Sequence, residues 1–265
     1  MDLEPFVLAN EPVIRMAFFL GVFALIGLWE IVAPRRALTV SKALRWASNL
    51  GLVALNTLLL RLVFPLAAAG IAAFGVANGW GLLNHFQVPF WIAVPVAVVA
   101  MDFVIWLQHV MVHAVPALWR LHQVHHADLD YDLTTGARFH PIEIALSMLI
   151  KFATITVLGP PVLAVVIFEV LLNATAMFNH GNIRLPARGD RVLRWFVVTP
   201  DMHRVHHSVE DDETNSNFGF NLPWWDRLFG TYRGQPAAGH EGMTIGIEQF
   251  RDPAEQRLDH MLTQP

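Results

Sequence analysis

An all-α integral membrane bundle, three spans followed by a helical hairpin and capped by histidine-rich helices on the cytosolic side, is the fold class this sequence predicts. Three observations predict it. The chain of 265 residues is 54% hydrophobic and only 15% charged, with a mean hydropathy of +0.43, a balance foreign to disordered chains and to ordinary soluble globules. Its apolar residues fall in blocks of about twenty, the length a helix needs to cross roughly 30 Å of hydrocarbon. Its 13 histidines are concentrated outside those blocks.

The first span is predicted at Val13 to Ala33, the second at Leu50 to Phe74 and the third at Val88 to Gln108, so that residues 13–108 hold three crossings of a single membrane domain. An acidic start (Asp2, Glu4, Glu11) and the lack of a small-residue cleavage site make the first a retained span rather than a signal peptide. The fourth apolar block, residues 142–178, is too long for one crossing and is cut by Gly159, Pro160 and Pro161, which predicts a hairpin, either transmembrane or re-entrant. Asn173-Ala174-Thr175 matches a glycosylation sequon but falls inside this hairpin and is read as chance.

Orientation comes from the basic residues. Arg35, Arg36, Lys42 and Arg45 follow the first span without an acidic residue, whereas residues 75–87 carry no charge. The first loop is therefore expected in the cytoplasm, and counting crossings puts residues 109–141 and 179–235 on that side as the cap. Arg184, Arg188, Arg191, Arg194 and Arg204 agree. With 16 Arg against 2 Lys and many Ala, the chain is expected in a bacterial cytoplasmic membrane.

Charge and cysteine usage remove several function classes. A formal net of -4 with basic residues in short clusters excludes nucleic acid as partner, and the lack of cysteine excludes disulfides, thiolate metal sites, iron-sulfur clusters and a cysteine nucleophile. Arg61, Asp102, Lys151 and Glu169 stand at membrane depth, where charges normally face a bundle interior or each other. Arg61 and Lys151 can equally snorkel toward an interface. Asp102, two turns before His109, is placed to accept a hydrogen bond from a metal-bound imidazole.

Ten histidines form patterns: His109 and His113 as HxxxH, His122, His125 and His126 as HxxHH, His140 before a proline, His180 in Asn-His-Gly-Asn, and His203, His206 and His207 as a second HxxHH. Spacings of three and four put imidazoles on one face of a helix turn. Pro116, Pro141 and the Thr199-Pro200 pair mark helix starts beside them. His85, His240 and His260 belong to no pattern and read as amphipathic side chains. Ten imidazoles are too many for one tetrahedral ion, while two ions with four or five nitrogens each fit the count. Imidazole suits zinc, copper, iron and nickel, and a redox pair beside lipid gives a reason to build such a site, namely activation of O2 against an unactivated C-H bond.

The sequence resembles the fatty acid hydroxylase superfamily, also called the sterol desaturase family, of integral membrane non-haem di-iron enzymes. The elements that carry the resemblance run from Asp102 to Thr231: Asp102 with His109 and His113, Leu118-Trp119-Arg120 leading into His122 to His126, Thr135 with Arg138-Phe139-His140-Pro141, Asn179-His180-Gly181-Asn182, Pro200 with His203 to His207, and Trp225-Asp226-Arg227-Leu228-Phe229-Gly230-Thr231. The resemblance implies two irons held by the ten histidines, O2 as co-substrate, a membrane lipid as substrate, and electrons from an external donor such as a ferredoxin or a cytochrome and its reductase. Where some relatives carry a further histidine, Arg184 stands here, and Asn182 is expected to serve through water. Hydroxylation, desaturation at the same centre, and a non-catalytic metal-binding membrane protein remain the functional alternatives. The aromatic stretch from Phe218 to Phe229 is expected to close the cap, with Asp226 and Arg227 paired within the fold.

Overall fold

The computed structural model describes residues 3–64 and 66–265. The described residues contain helices and no strand beyond two isolated bridges, Pro34 with Ile183 and Ser208 with Ile245. The helices are α1 (Leu3–Val32), α2 (Lys42–Val63), α3 (Ala68–Ala77), α4 (Leu82–His85), α5 (Phe90–Ala114), α6 (Pro116–His126), α7 (Pro141–Leu158), α8 (Val162–Asn179), α9 (Ala187–Leu193), α10 (Pro200–His206), α11 (Asp211–Thr214), α12 (Trp224–Phe229), α13 (Gly239–Gly242) and α14 (Leu258–Met261). Five segments are long and apolar enough to cross a membrane: α1, the stretch from α2 through α4, α5, α7 and α8. Apolar side chains such as Val13, Leu25, Leu62, Trp91 and Val157 stand exposed along them, as a surface facing hydrocarbon requires.

The second predicted span is not one helix. α2 ends at Val63, and Phe64, which precedes Pro65, is extended (φ -115°, ψ 104°) because a proline ring excludes the helical conformation from its neighbour. The chain restarts as α3, whose Ala68, Ala69 and Ala72 form a small-residue face packed with Val162, Val165 and Phe168 of α8. α3 also packs on α7. The third span runs beyond Gln108 to Ala114, so His109 and His113 sit on the span itself.

α7 and α8, 18 residues each or about 27 Å, start and finish at the histidine end and turn at the opposite end. Gly159 makes that turn with φ 66°, and Gly81 (φ 86°) lies so close that a Cβ on it would meet Gly159 N at 2.2 Å. Asn84 seals the approach by donating to the Gly159 carbonyl at 3.2 Å. The far end of the hairpin is thereby clamped, while its mid-section is joined by an ion pair, Lys151 Nζ to Glu169 Oε1 at 2.8 Å.

The cap is moored to the spans by buried charge. Arg45 of α2 is wholly buried, holds both oxygens of Asp128 at 2.7 Å, and reaches Asp132 at 2.5 Å and Thr135 at 3.2 Å. Arg45 is thus a structural ion-pair member rather than a free topological charge. Glu30 of α1 accepts the N–H groups of Leu133 and Asn182, both at 2.7 Å, tying the two halves of the cap to one span.

Candidate metal centre

Nine of the ten patterned histidines converge in two adjacent groups. His109 and His113 of α5, His122 and His126 of α6 and His206 of α10 form the first. His125 of α6, His180 after α8, and His203 and His207 of α10 and its C-cap form the second. Within each group one ring nitrogen per residue lies within 4.8 Å of the others.

Helix geometry explains the division. At 100° per residue, positions i and i+4 differ by about 40° and stay together, whereas i+3 lies about 60° to the other side. The outer pair of each HxxHH motif therefore goes to one group and the middle histidine to the other. α6 sends His122 and His126 to the first group and His125 to the second, and α10 sends His203 and His207 to the second and His206 to the first. The expectation that spacings of three and four both put imidazoles on one face therefore holds for the outer pair of each motif and not for its middle histidine. His126 and His207 stack where the groups meet, with centroids 4.6 Å apart at 15°.

The ring nitrogens are set for metal rather than for one another. His109 Nδ1 donates to Phe218 O at 2.7 Å, His180 Nδ1 to Ala176 O at 2.8 Å, His206 Nδ1 to Ser216 O at 2.7 Å, and His122 Nδ1 to Glu143 Oε1 at 2.7 Å. With the proton on Nδ1, each leaves a bare Nε2 lone pair pointing inward. Yet Nε2 of His109 lies 3.2 Å from Nε2 of His122 and 3.1 Å from that of His206. Two lone pairs cannot bond across such a gap. Two nitrogens about 2.1 Å from a shared ion would be roughly 3.0–3.4 Å apart, so the spacing suits a common metal. His126 and His207 have no partner on either nitrogen although both are fully buried, which metal would also answer.

Burial, and then the charge that neighbouring imidazoles would carry, holds His125, His126, His203, His206 and His207 well below the usual imidazole range. Burial likewise lowers His180 to about 4, against opposing contributions from Ala176 O, Asp128 and Asp132. These six imidazoles are therefore neutral at physiological pH, the form that binds metal. Neither group contains a carboxylate.

The remaining expected site residues lie elsewhere. His140 belongs to neither group: it caps α7, its Nδ1 accepting from Ile142 N at 3.3 Å. His140→Ala is expected to leave metal content unchanged and to lower stability by about 0.5–2 kcal/mol, as loss of a helix cap does, which metal analysis beside thermal unfolding checks. Asp102 does not meet an imidazole. Its Oδ2 accepts from Trp225 Nε1 at 2.8 Å, because the aromatic closing segment folds back onto α5 two turns below His109. Asn179 donates to Phe220 O at 2.9 Å and holds that same segment against α8. Asn182 accepts from Arg36 N and donates to Arg36 O, fixing the α1–α2 connection rather than the centre. Arg184 is exposed. Asp226 is not paired with Arg227: it accepts from Phe218 N, Gly219 N and Trp106, while Arg227 lies between Trp195 and Tyr232, 3.9 Å from each ring. Asp226 thus presents the Phe218 carbonyl that fixes His109.

Sequence reasoning missed Glu143. It opens α7 directly after the His140-Pro141 pair, and no spacing rule connects it to His122 across 21 residues. Replacing Glu143 with leucine is expected to lower metal retention 10- to 100-fold, the usual effect of removing a carboxylate behind a metal-bound imidazole, measurable by chelator competition. Gly136 was also silent in the sequence. A Cβ there would meet Ala176 O at 2.6 Å and His180 Nδ1 at 2.9 Å, so only glycine lets this turn close under His180.

The centre has two approaches. On the side away from the spans, His113 and Trp119 floor a depression of about 600 Å3 ringed by Glu210, Asp211, Asp212 and Glu248. On the other, a cavity of about 280 Å3 descends among α2, α5, α7 and α8 from His109 and His122 to Lys151 and Glu169. It places an elongated volume at membrane depth directly beneath the first histidine group.

Comparison with known proteins agrees with this arrangement. The fatty acid hydroxylase family matches residues 94–231, just over half of the chain, and that stretch holds both histidine groups. Alkylglycerol monooxygenase of Xenopus tropicalis is 30% identical over 164 residues, covering 60% of this chain and 34% of that protein. Ornithine lipid hydroxylase OlsE of Rhizobium tropici is 28% identical over 176 residues, covering 65% and 51%. Human alkylglycerol monooxygenase is 27% identical over 172 residues, covering 63% and 36%. The chain thus spans a third to a half of the length of these relatives, and no solved structure matches it. The family match spans both histidine groups of this helical membrane bundle, and the chain belongs to the fatty acid hydroxylase family.

Proposed function

We propose that this protein hydroxylates a membrane lipid with O2, using two iron ions held by the first group (His109, His113, His122, His126, His206) and the second (His125, His180, His203, His207). The observation that carries the reading is the convergence of bare Nε2 lone pairs, 3.1–3.2 Å apart, at the upper end of a cavity lying at hydrocarbon depth. All-nitrogen, carboxylate-free ligation suits a redox metal, and the two relatives' names, monooxygenase and hydroxylase, favour oxygen insertion over desaturation. When bound, the iron pair supplies the O2-derived oxidant for an unactivated C–H bond. The residues of this chain do the rest. Phe218 O, Ser216 O, Ala176 O and Glu143 keep the imidazole protons on Nδ1. Phe139, stacked on His125 with centroids 4.5 Å apart, shields that ring from water.

Residues 115–141 and 179–235 form the cap in this reading, with His109 and His113 supplied by the end of α5, the centre faces the cytoplasm of a bacterial cell, and electrons come from a separate donor. Arg36 lies at the histidine end, as do the exposed Arg184, Arg188 and Arg191, which supports that orientation even with Arg35, Lys42 and Arg45 set aside as ion-pair members. The test compares lipid masses of cells expressing the wild type with those expressing a His125→Ala, His206→Ala double variant. A lipid gaining one oxygen with the wild type alone is expected. A lipid losing two hydrogens would make the protein a desaturase, and no difference, with metal bound, would leave a metal-binding membrane protein.

A further inference from the structure

The cavity beneath the centre is lined mostly by apolar side chains such as Phe19, Ile105, Met148 and Phe220, but one wall of it is polar. Along α7, Glu143, Ser147 and Lys151 recur every four residues and all line it, a polar stripe running about 12 Å down from the metal-facing end. Asn56 of α2, Gln108 of α5 and Glu169 of α8 line it as well. Three of these groups have polar atoms that are buried and unpartnered, Asn56 Oδ1, Gln108 Oε1 and Glu143 Oε2, whereas Glu169 is held between Lys151 and Arg15, which also lines the cavity. All three unpartnered atoms are acceptors. The assignment is firm at Asn56, whose Nδ2 is committed to Phe139 O at 2.9 Å. Leaving such atoms unpaired at membrane depth is unfavourable, so a plain alkyl chain is a poor occupant of that wall.

A second, apolar hollow of about 170 Å3 lies on the other side of Gln108, Glu143 and Ser147, between α5 and α7. Its walls include Met111, Leu146 and Leu149, which are exposed on the membrane-facing surface. The polar wall of the cavity and the apolar hollow therefore share one partition.

Resting on the oxygenase reading above, we infer that the substrate is a lipid whose polar group carries hydrogen-bond donors, hydroxyl or N–H, seated on Asn56, Gln108 and Glu143, with its chain in the hollow between α5 and α7. The ion pair of Lys151 with Glu169 forms the floor of the polar part. Specificity then lies in the donors of the headgroup and not in chain length.

Equilibrium binding to the purified, metal-loaded protein tests this without turnover. The probes are 1-O-hexadecylglycerol against its di-O-methyl ether, and hexadecylammonium against hexadecyltrimethylammonium, pairs that differ in donors while keeping chain and charge. At least one donor-bearing probe is expected to bind about tenfold more tightly than its methylated partner, the effect of one or two hydrogen bonds. Gln108→Leu, which removes no hydrogen bond present in the fold, and Asn56→Leu are each expected to shrink that ratio to about threefold or less, with metal content unchanged. Equal binding within both pairs, or ratios untouched by both variants, overturns the inference even if lipid oxidation occurs. Discrimination between the probes by a protein that oxidises no lipid would instead overturn the oxygenase reading alone, and the better-bound pair tells hydroxyl from ammonium.

Discussion

Replacing His207 with alanine is expected to reduce bound iron from two toward one per chain and to lower lipid oxidation by about 100-fold or more, beyond the range seen when only a group behind a ligand is lost. The second group holds four imidazoles, and removing one leaves three nitrogens around an ion that has no carboxylate nearby to replace it. The first group holds five, so His126→Ala leaves four and is expected to retain more metal than His207→Ala. Metal analysis of both purified variants decides the point. Equal loss from the two would mean that the ligands are not divided five and four between the ions. Folding is separable from ligation here because neither ring makes a hydrogen bond in the structure, so circular dichroism is expected to be unchanged in both.

The second large effect concerns stability. Asp128→Asn leaves Arg45 wholly buried against one remaining carboxylate, Asp132, and breaking a buried pair in this way typically removes about 3–5 kcal/mol. Because this contact joins α2 to the loop that leaves the α6 histidines, the variant is expected to unfold at a markedly lower temperature in detergent and to lose metal with it. The pH dependence has a definite sign. Burial alone would raise the Asp128 carboxyl, but Arg45 and then Arg138 override it and hold the group at about 2, below its ordinary value of 3.8. A depressed carboxylate contributes stability that is present above the unfolded value and lost as pH falls through the folded one. Wild type is therefore expected to lose this contribution between about pH 4 and pH 2, and Asp128→Asn to lack that slope. A variant with wild-type stability and the same acid slope would show that the Asp128 pair does not moor the cap.

Glu143 and Asn56 show why the sequence was silent about much of the site. Each is one ordinary polar residue on an apolar helix, without a repeat or spacing that singles it out. Its meaning comes from a partner 21 residues away in the first case and 83 in the second. His140 illustrates the opposite error. It sits in a motif-like setting before a proline, but the same proline that starts α7 makes the preceding residue its cap, and the ring is spent on the helix end. Asp102 lies on the third apolar helix as expected but meets Trp225 and not an imidazole, since helix spacing reports which residues share a face and not what packs against that face. Pro65 was visible within the second apolar block, and hydropathy, which averages over a window, hides a break that one ring imposes.

Two properties followed from the sequence by itself. Hydrocarbon requires long uninterrupted apolar helices, so composition and block length were enough to specify a helical membrane bundle. Patterned histidines in such number in a cysteine-free chain pointed to a multi-histidine cluster, which the structure assembles from nine of the ten. The tertiary structure alone decided the division of each HxxHH motif between two groups, the exclusion of His140, the carboxylate behind His122, and the polar wall of the cavity. Spacing along a helix fixes relative angles of about 40° and 60°, but which neighbour stands at each angle depends on how α5, α6, α8 and α10 pack, and those contacts join residues tens of positions apart.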